Sequence, residues 1–197
     1  MAELNDTLFL ALNASAQAPW AAVAFAVFAA KYLTLLVPVL LCAMWIRGDR
    51  SRRSVALTCL VALLVALAVN QVVGLLAYSP RPFLIGLGRT LIDHRPSSSF
   101  PSNHGTVCFT VAAVLMATGM RRLALATACL GLVVAWSRIY VGIHYPLDML
   151  GAMGSAALAA PVAIWVMAHF GERLLGLAES VYRLVFRPFI RLGLARH

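Results

Sequence analysis

Charge is scarce in this chain, and negative charge scarcest of all. Only 12% of its 197 residues are Asp, Glu, Lys or Arg, and just seven are acidic. A soluble domain carries about a quarter charged residues. With 62% hydrophobic residues and a mean hydropathy of +0.87, the composition excludes a large soluble core and points to a polytopic membrane protein. Cysteine is equally sparse: Cys42, Cys59, Cys108 and Cys129 lie in apolar runs. None has a CxxC partner or a His at ligand spacing, so no zinc site is expected and each reads as a buried, inert thiol. Internal repeats and low-complexity segments are missing, as is a linker, so residues 1–197 form one domain. The start carries Glu3 and Asp6 rather than a basic n-region, so no signal peptide is expected and the first hydrophobic stretch is retained.

Apolar stretches are present over about 20–46, 54–78, 105–120, 123–136 and 147–169. The third and fourth fall short of the usual 20 residues and are expected as a tight hairpin buried among the other helices. Alternating spans put 47–53, 120–122 and 171–197 on one side. Arg47, Arg50, Arg52, Arg53, Arg121, Arg122, Arg173, Arg183, Arg187, Arg191 and Arg196 all fall there, so that side is cytoplasmic by the positive-inside rule. The net charge of +9 is thus topological, and nucleic-acid binding is not expected. The segment "ERLLGLAESVYRLVFRPF" has apolar residues at helical spacing and Glu179 four before Arg183. It reads as an amphipathic helix on the inner leaflet, or against a partner, stopped at Pro188.

Few cations remain for the outer side: Lys31, Arg81, Arg89, Arg95 and Arg138. Three stretches gather the polar chemistry there. In "SSSFPSNHGTVCFT", Ser102 is a good N-cap, so Asn103, His104 and Gly105 open a helix whose free N–H groups make an anion site; an ordinary capped helix with an interfacial His is the alternative. In "WSRIYVGIHYPLDML", Arg138 closes the fourth span and Pro146 begins the fifth. His144 and Asp148, four apart, let a carboxylate hold one imidazole nitrogen and leave the other free to attack. In "YSPRPF", Pro80 and Pro82 hold Arg81 extended, a fork suited to phosphate oxygens. Two arginines, two histidines, one aspartate and a helix N-terminus on one face match phosphoryl transfer through a covalent histidine. Only Glu3, Asp6, Asp93 and Asp148 are acidic on that side, too few for a Mg²⁺ site, so a reaction without metal or cofactor is expected.

These three stretches resemble the three motifs of the type 2 phosphatidic acid phosphatase (PAP2) superfamily. "NQ" at 70–71, "SFPSNHGTV" and "AWSRIYVGIHYPLDMLG" are closest to its BcrC-type undecaprenyl-diphosphatases, over about residues 70–155. The resemblance implies an all-α membrane bundle of five to six helices with N- and C-terminal amphipathic elements and a pocket facing the periplasm. It also implies His144 as phosphate-accepting nucleophile, Asp148 as its orienting partner and His104 as general acid. Arg81, Ser102, Asn103, Gly105 and Arg138 would hold the phosphate. Two departures stand out: the motif's lysine, seven before the Arg of "RP", is Gly74 here, and Asn103 replaces the usual Gly or Asp. Lys31 is the candidate replacement cation, if residues 1–30 form an interfacial or re-entrant element and the first span begins near Lys31; a Lys snorkelling to the headgroups is the alternative. Arg89, Arg95, Asp93 and His94 read as solvated loop residues.

The implied activity is hydrolysis of undecaprenyl diphosphate to the monophosphate at the outer face of a bacterial plasma membrane, recycling the cell-wall carrier lipid. The partners are then the polyprenyl diphosphate and the bilayer. A broader lipid phosphatase acting on phosphatidylglycerophosphate or phosphatidic acid is the second reading, and a lipid or phosphate transporter the third. An oriented His144–Asp148 pair and the lack of inverted repeats speak against transport.

Overall fold

The structure, a computed structural model, describes residues 2–191. Its regular elements are helices: α1 (Ala2–Leu12), α2 (Trp20–Tyr32), α3 (Leu36–Arg47), α4 (Arg50–Leu76), α5 (Asn103–Ala117), α6 (Arg121–Tyr140) and α7 (Pro146–Arg191). Short 3₁₀ turns at Leu33–Leu35 and Pro82–Ile85 complete the set. The first of these turns joins α2 to α3, so Trp20–Arg47 runs as one 28-residue apolar rod beginning at Trp20. Together with α4, α6 and Pro146–Arg187 it supplies four helices long and apolar enough to cross a membrane.

Helix α5 has only 15 residues. It tolerates that length because α4, α6 and α7 surround it: Cys108, Val111, Val114 and Leu115 are fully buried at the centre of the bundle. Ala56, Ala62 and Ala66 line the facing side of α4, and small residues of this kind let membrane helices approach closely. Cys59 and Cys108 are buried as expected, whereas Cys42 and Cys129 are exposed on the apolar outer surface.

Helix α7 corrects the expected chain end. It continues without a break through Pro188 to Arg191, 46 residues in all, or about 69 Å at 1.5 Å per residue. The segment from 171 is therefore no separate surface helix up to Arg191, and residues 192–197 lie outside the described ones. Tyr182 is buried edge-on against Trp45, with ring centroids 6.1 Å apart. The Arg53 guanidinium lies 5.0 Å from the Tyr182 ring centre and 3.7 Å from Glu179. Glu179 thus faces α4, with Arg50 at 3.9 Å as well, instead of making the expected pair with Arg183.

The chain's polar residues collect at the two ends. One end carries the starts of α4 and α6, where Arg52, Arg121 and Arg122 border one cleft. The opposite end carries the 77–102 segment and the 141–145 turn between α6 and α7. There Gly142 adopts φ +84°, and a side chain would collide with the Arg89 carbonyl, so only glycine closes α6 so tightly. Gly151 has a matching role: the Phe100 ring rests directly on its Cα and seats the 97–101 stretch on α7.

Candidate active site

The site is built by four segments meeting at this second end. Ser102 caps α5, its Oγ accepting from the Gly105 amide at 3.4 Å. Its own amide donates to the Asp148 carbonyl at 3.1 Å, which fastens the start of α5 to the first turn of α7. Pro146 opens α7 with a φ already set for a helix. Arg81 is extended (φ −73°, ψ 156°) between its two prolines, as the sequence predicts.

His144 is the centre of the arrangement and is 1% exposed. Its Nδ1 lies 2.9 Å from Asp148 Oδ2, a bond possible only if Nδ1 carries the proton. Its Nε2 lies 3.0 Å from Arg81 Nη1 and 3.3 Å from Arg138 Nη2, both obligate donors, so Nε2 holds a lone pair. Burial, reinforced by Arg138 and Arg81, holds this imidazole well below its ordinary pKa and therefore neutral. Asp148 Oδ2 also accepts from the Ser99 hydroxyl and, at 2.8 Å, from the Tyr145 amide, so three donors fix the carboxylate.

Both arginines are buried, and neither forms an ion pair among the described residues. Arg81 donates to the carbonyls of Ser97 (3.1 Å), Ser98 (3.1 Å) and Ile143 (2.8 Å). Burial lowers its pKa, and the nearby Asp148 charge opposes that shift. Arg138 donates to the Ala30 carbonyl at 3.1 Å, while its Nε finds no hydrogen-bond partner among the described residues. Between them opens a cavity of about 450 Å³ whose lining includes Arg81, Arg138, His94, His104, His144 and Asn103. A lone-pair nitrogen beside two forks of donors in a buried cavity is the equipment for a nucleophile attacking an anionic phosphoryl group.

The PAP2 superfamily profile matches residues 55–172, which include every residue lining this cavity. The chain belongs to the PAP2 superfamily. It is 36% identical to YbjG of Escherichia coli (strain K12) over 194 residues, 98% of each chain. It is 29% identical to the undecaprenyl-diphosphatase BcrC of Bacillus subtilis (strain 168), over 80% of this chain and 79% of that one. Among solved structures, LpxE of Aquifex aeolicus superposes with a TM-score of 0.63 at 23% identity, covering 82% of this chain and 94% of that one. The PAP2-type phosphatidylglycerolphosphate phosphatase of Bacillus subtilis gives 0.60 at 19% identity, covering 87% and 86%. These two likenesses show the shared PAP2 fold.

The structure separates the residues singled out from the sequence into three groups. His104, Asn103, Arg81, Arg138 and His144 line the cavity, with Asp148 directly behind His144. Ser102 and Gly105 do not: Ser102 is buried as a helix cap, and a Cβ on Gly105 would meet Ala152 and Met149 of α7. Lys31 is exposed on α2 and is not among the lining residues; its neighbour Ala30 reaches the site instead, through its carbonyl. Arg89 turns away to the carbonyl of Ser15, at 2.7 Å, and serves the loop.

Three residues of this PAP2 site carried no role in the sequence reading, although Ser99 and Asn70 lie in the quoted motifs. Ser99 hides in a serine run with no spacing signal. His94 reads as a loop residue, yet its Nε2 lies 3.2 Å from Arg138 Nη2. Asn70 sits mid-helix in α4, donates to Asn103 Oδ1 (2.9 Å) and Thr106 Oγ1 (2.8 Å), and accepts from Ser155 Oγ (2.7 Å). A buried amide inside an apolar span was the available signal, since such groups need partners from other helices.

Proposed function

We propose that this chain hydrolyses undecaprenyl diphosphate to the monophosphate and inorganic phosphate through a phosphohistidine on His144. The observation that carries the reading is His144 Nε2, a lone pair beside Arg81 Nη1 and Arg138 Nη2. In the first step Nε2 attacks the terminal phosphorus, an N–P bond forms, and the bond to the bridging oxygen breaks. His104 donates a proton to that oxygen as the lipid monophosphate leaves. In the second step His104 takes a proton from water, the water oxygen bonds to phosphorus, and the N–P bond breaks to release inorganic phosphate. Asp148 balances the charge that develops on the imidazole, and the two guanidiniums balance the charge on the phosphoryl oxygens.

The reaction draws on no metal, because two arginines supply the positive charge and the single carboxylate is already held by Ser99, His144 and the Tyr145 amide. The substrate class is supported by the likeness to BcrC of Bacillus subtilis, an undecaprenyl-diphosphatase. The site faces the periplasm and the arginine-rich end the cytoplasm, an orientation supported by the cluster of Arg52, Arg121 and Arg122 at the far end. Carrier-lipid recycling follows from that placement.

The experiment is phosphate release from C55 diphosphate in detergent with EDTA, wild type against His144→Ala. Release that persists in EDTA and vanishes in the variant is the expected result. Release abolished by EDTA refutes the metal-free mechanism, and no release by folded wild type refutes the substrate.

A further inference from the structure

The motif that this chain resembles has a lysine where Gly74 stands here, so one candidate phosphate cation is missing from the cavity wall. Gly74 does open into the cavity: a Cβ there would touch only Ser98, at 3.5 Å. Lys31 is exposed and absent from the lining. His94 borders the same cavity as Gly74 and meets the same guanidinium as the nucleophile.

Its hydrogen bonds fix its present state. Nδ1 lies 3.1 Å from the Arg95 carbonyl, which only accepts, so Nδ1 carries a proton. Nε2 lies 3.2 Å from Arg138 Nη2, which only donates, so Nε2 is bare. An anionic phosphoryl oxygen competes for that Arg138 donor. Once Arg138 turns to the phosphate, His94 Nε2 loses its donor and faces an anion, and a proton taken from solvent converts the mismatch into a charge-assisted bond.

We infer that His94 is a phosphate-binding residue that takes up a proton when a diphosphate enters, and so supplies the cation absent at position 74. This inference rests on the proposed phosphatase reading for its substrate, but the proton uptake is measurable without turnover.

The surroundings agree with a switch of this kind. Arg81 from the 77–81 segment, Arg138 from α6 and Arg95 from its own loop face His94, with the His144 ring 6.4 Å away and His104 of α5 close enough to interact. Asp148 lies behind His144, and Asp93 is turned to solvent. Burial first, then Arg81, Arg138 and Arg95, hold the His94 pKa below its ordinary value, partly offset by the Arg95 carbonyl, so the imidazole is neutral near pH 7. A diphosphate reverses the sign of the local charge and raises it. The sign follows from linkage: a group whose pKa is higher in the complex makes binding tighter at low pH. That gain is lost as pH climbs from the free value through the bound one.

The test uses His94→Gln, whose side-chain oxygen still accepts from Arg138 but cannot become a cation. KM for C55 diphosphate should rise about ten- to a hundredfold at pH 6, as for loss of a charge-assisted bond, and the ratio of variant to wild type should shrink towards one by pH 9. A merely positioning role gives a ratio independent of pH, which overturns the inference. Calorimetric titration of both proteins with methylenediphosphonate in two buffers of different ionisation enthalpy reads protons directly. Wild type should take up about one more proton than His94→Gln. Equal uptake, or no binding by wild type, overturns the inference. Unequal uptake with no turnover of the lipid would leave it standing and refute the substrate alone.

Discussion

The Asp148→Asn substitution tests the heart of the site. The carboxylate lies 2.9 Å from His144 Nδ1 and does not line the cavity, so it acts on the imidazole rather than on the substrate. In the proposed mechanism the ring becomes cationic as the N–P bond forms. At 2.9 Å the attraction of a full carboxylate charge is about 6 kcal/mol with an effective dielectric constant of about 20. An asparagine oxygen placed at Oδ2 still accepts from Ser99 and the Tyr145 amide and keeps the ring oriented, and its dipole recovers part of that sum. A net loss of roughly 3–5 kcal/mol remains, or about 10²–10⁴ in kcat. KM should stay within about threefold, since ground-state contacts are untouched. The assay is steady-state phosphate release from C55 diphosphate in detergent, with a quench to measure acid-labile phosphoprotein. A kcat within tenfold of wild type, or a loss carried wholly by KM, would refute the assignment of Asp148 as the partner of the nucleophile.

Arg138→Lys should lower kcat/KM by about 10–10², because an ammonium lacks the planar fork whose two Nη atoms reach the Ala30 carbonyl and the His144 side of the cavity at once; an unchanged kcat/KM in the same assay counts against its role. Asn70→Ala leaves Asn103, Thr106 and Ser155 without their shared partner and should cost about 1–3 kcal/mol, read as a thermal midpoint lower by roughly 3–10 °C. Lys31→Ala should leave both kcat and KM within about twofold, the scale of a surface substitution, because its ammonium is exposed. A marked rise in KM would return that lysine to the site.

The sequence was most informative where one residue's chemistry decides its place. Pro80 and Pro82 leave Arg81 no conformation but an extended one, and Pro146 with Asp148 marks a helix start that puts His144 on its rim. Contacts between distant segments left no such trace. His94 joins the site because the 83–100 loop folds back over α6, and nothing in its local composition says so. Ser102 and Gly105 show the opposite case. Their capping chemistry is legible, but which side of α5 faces α7 is set by packing, and neither residue is among those lining the cavity. The chain end misled for a simpler reason. Pro188 is a helix breaker by propensity alone, whereas α7 runs on to Arg191, with Tyr182 and Glu179 packed against α3 and α4.

α7 is also longer than the membrane it crosses. It rises about 69 Å, more than twice the hydrocarbon thickness of about 30 Å, with Asp148 in its first turn and Tyr182 packed near the far end. The bond from the Ser102 amide to the Asp148 carbonyl splices the start of α5, with His104, onto that first turn. One continuous beam thus carries Asp148 at the cavity end and Tyr182 beside Arg53 at the other.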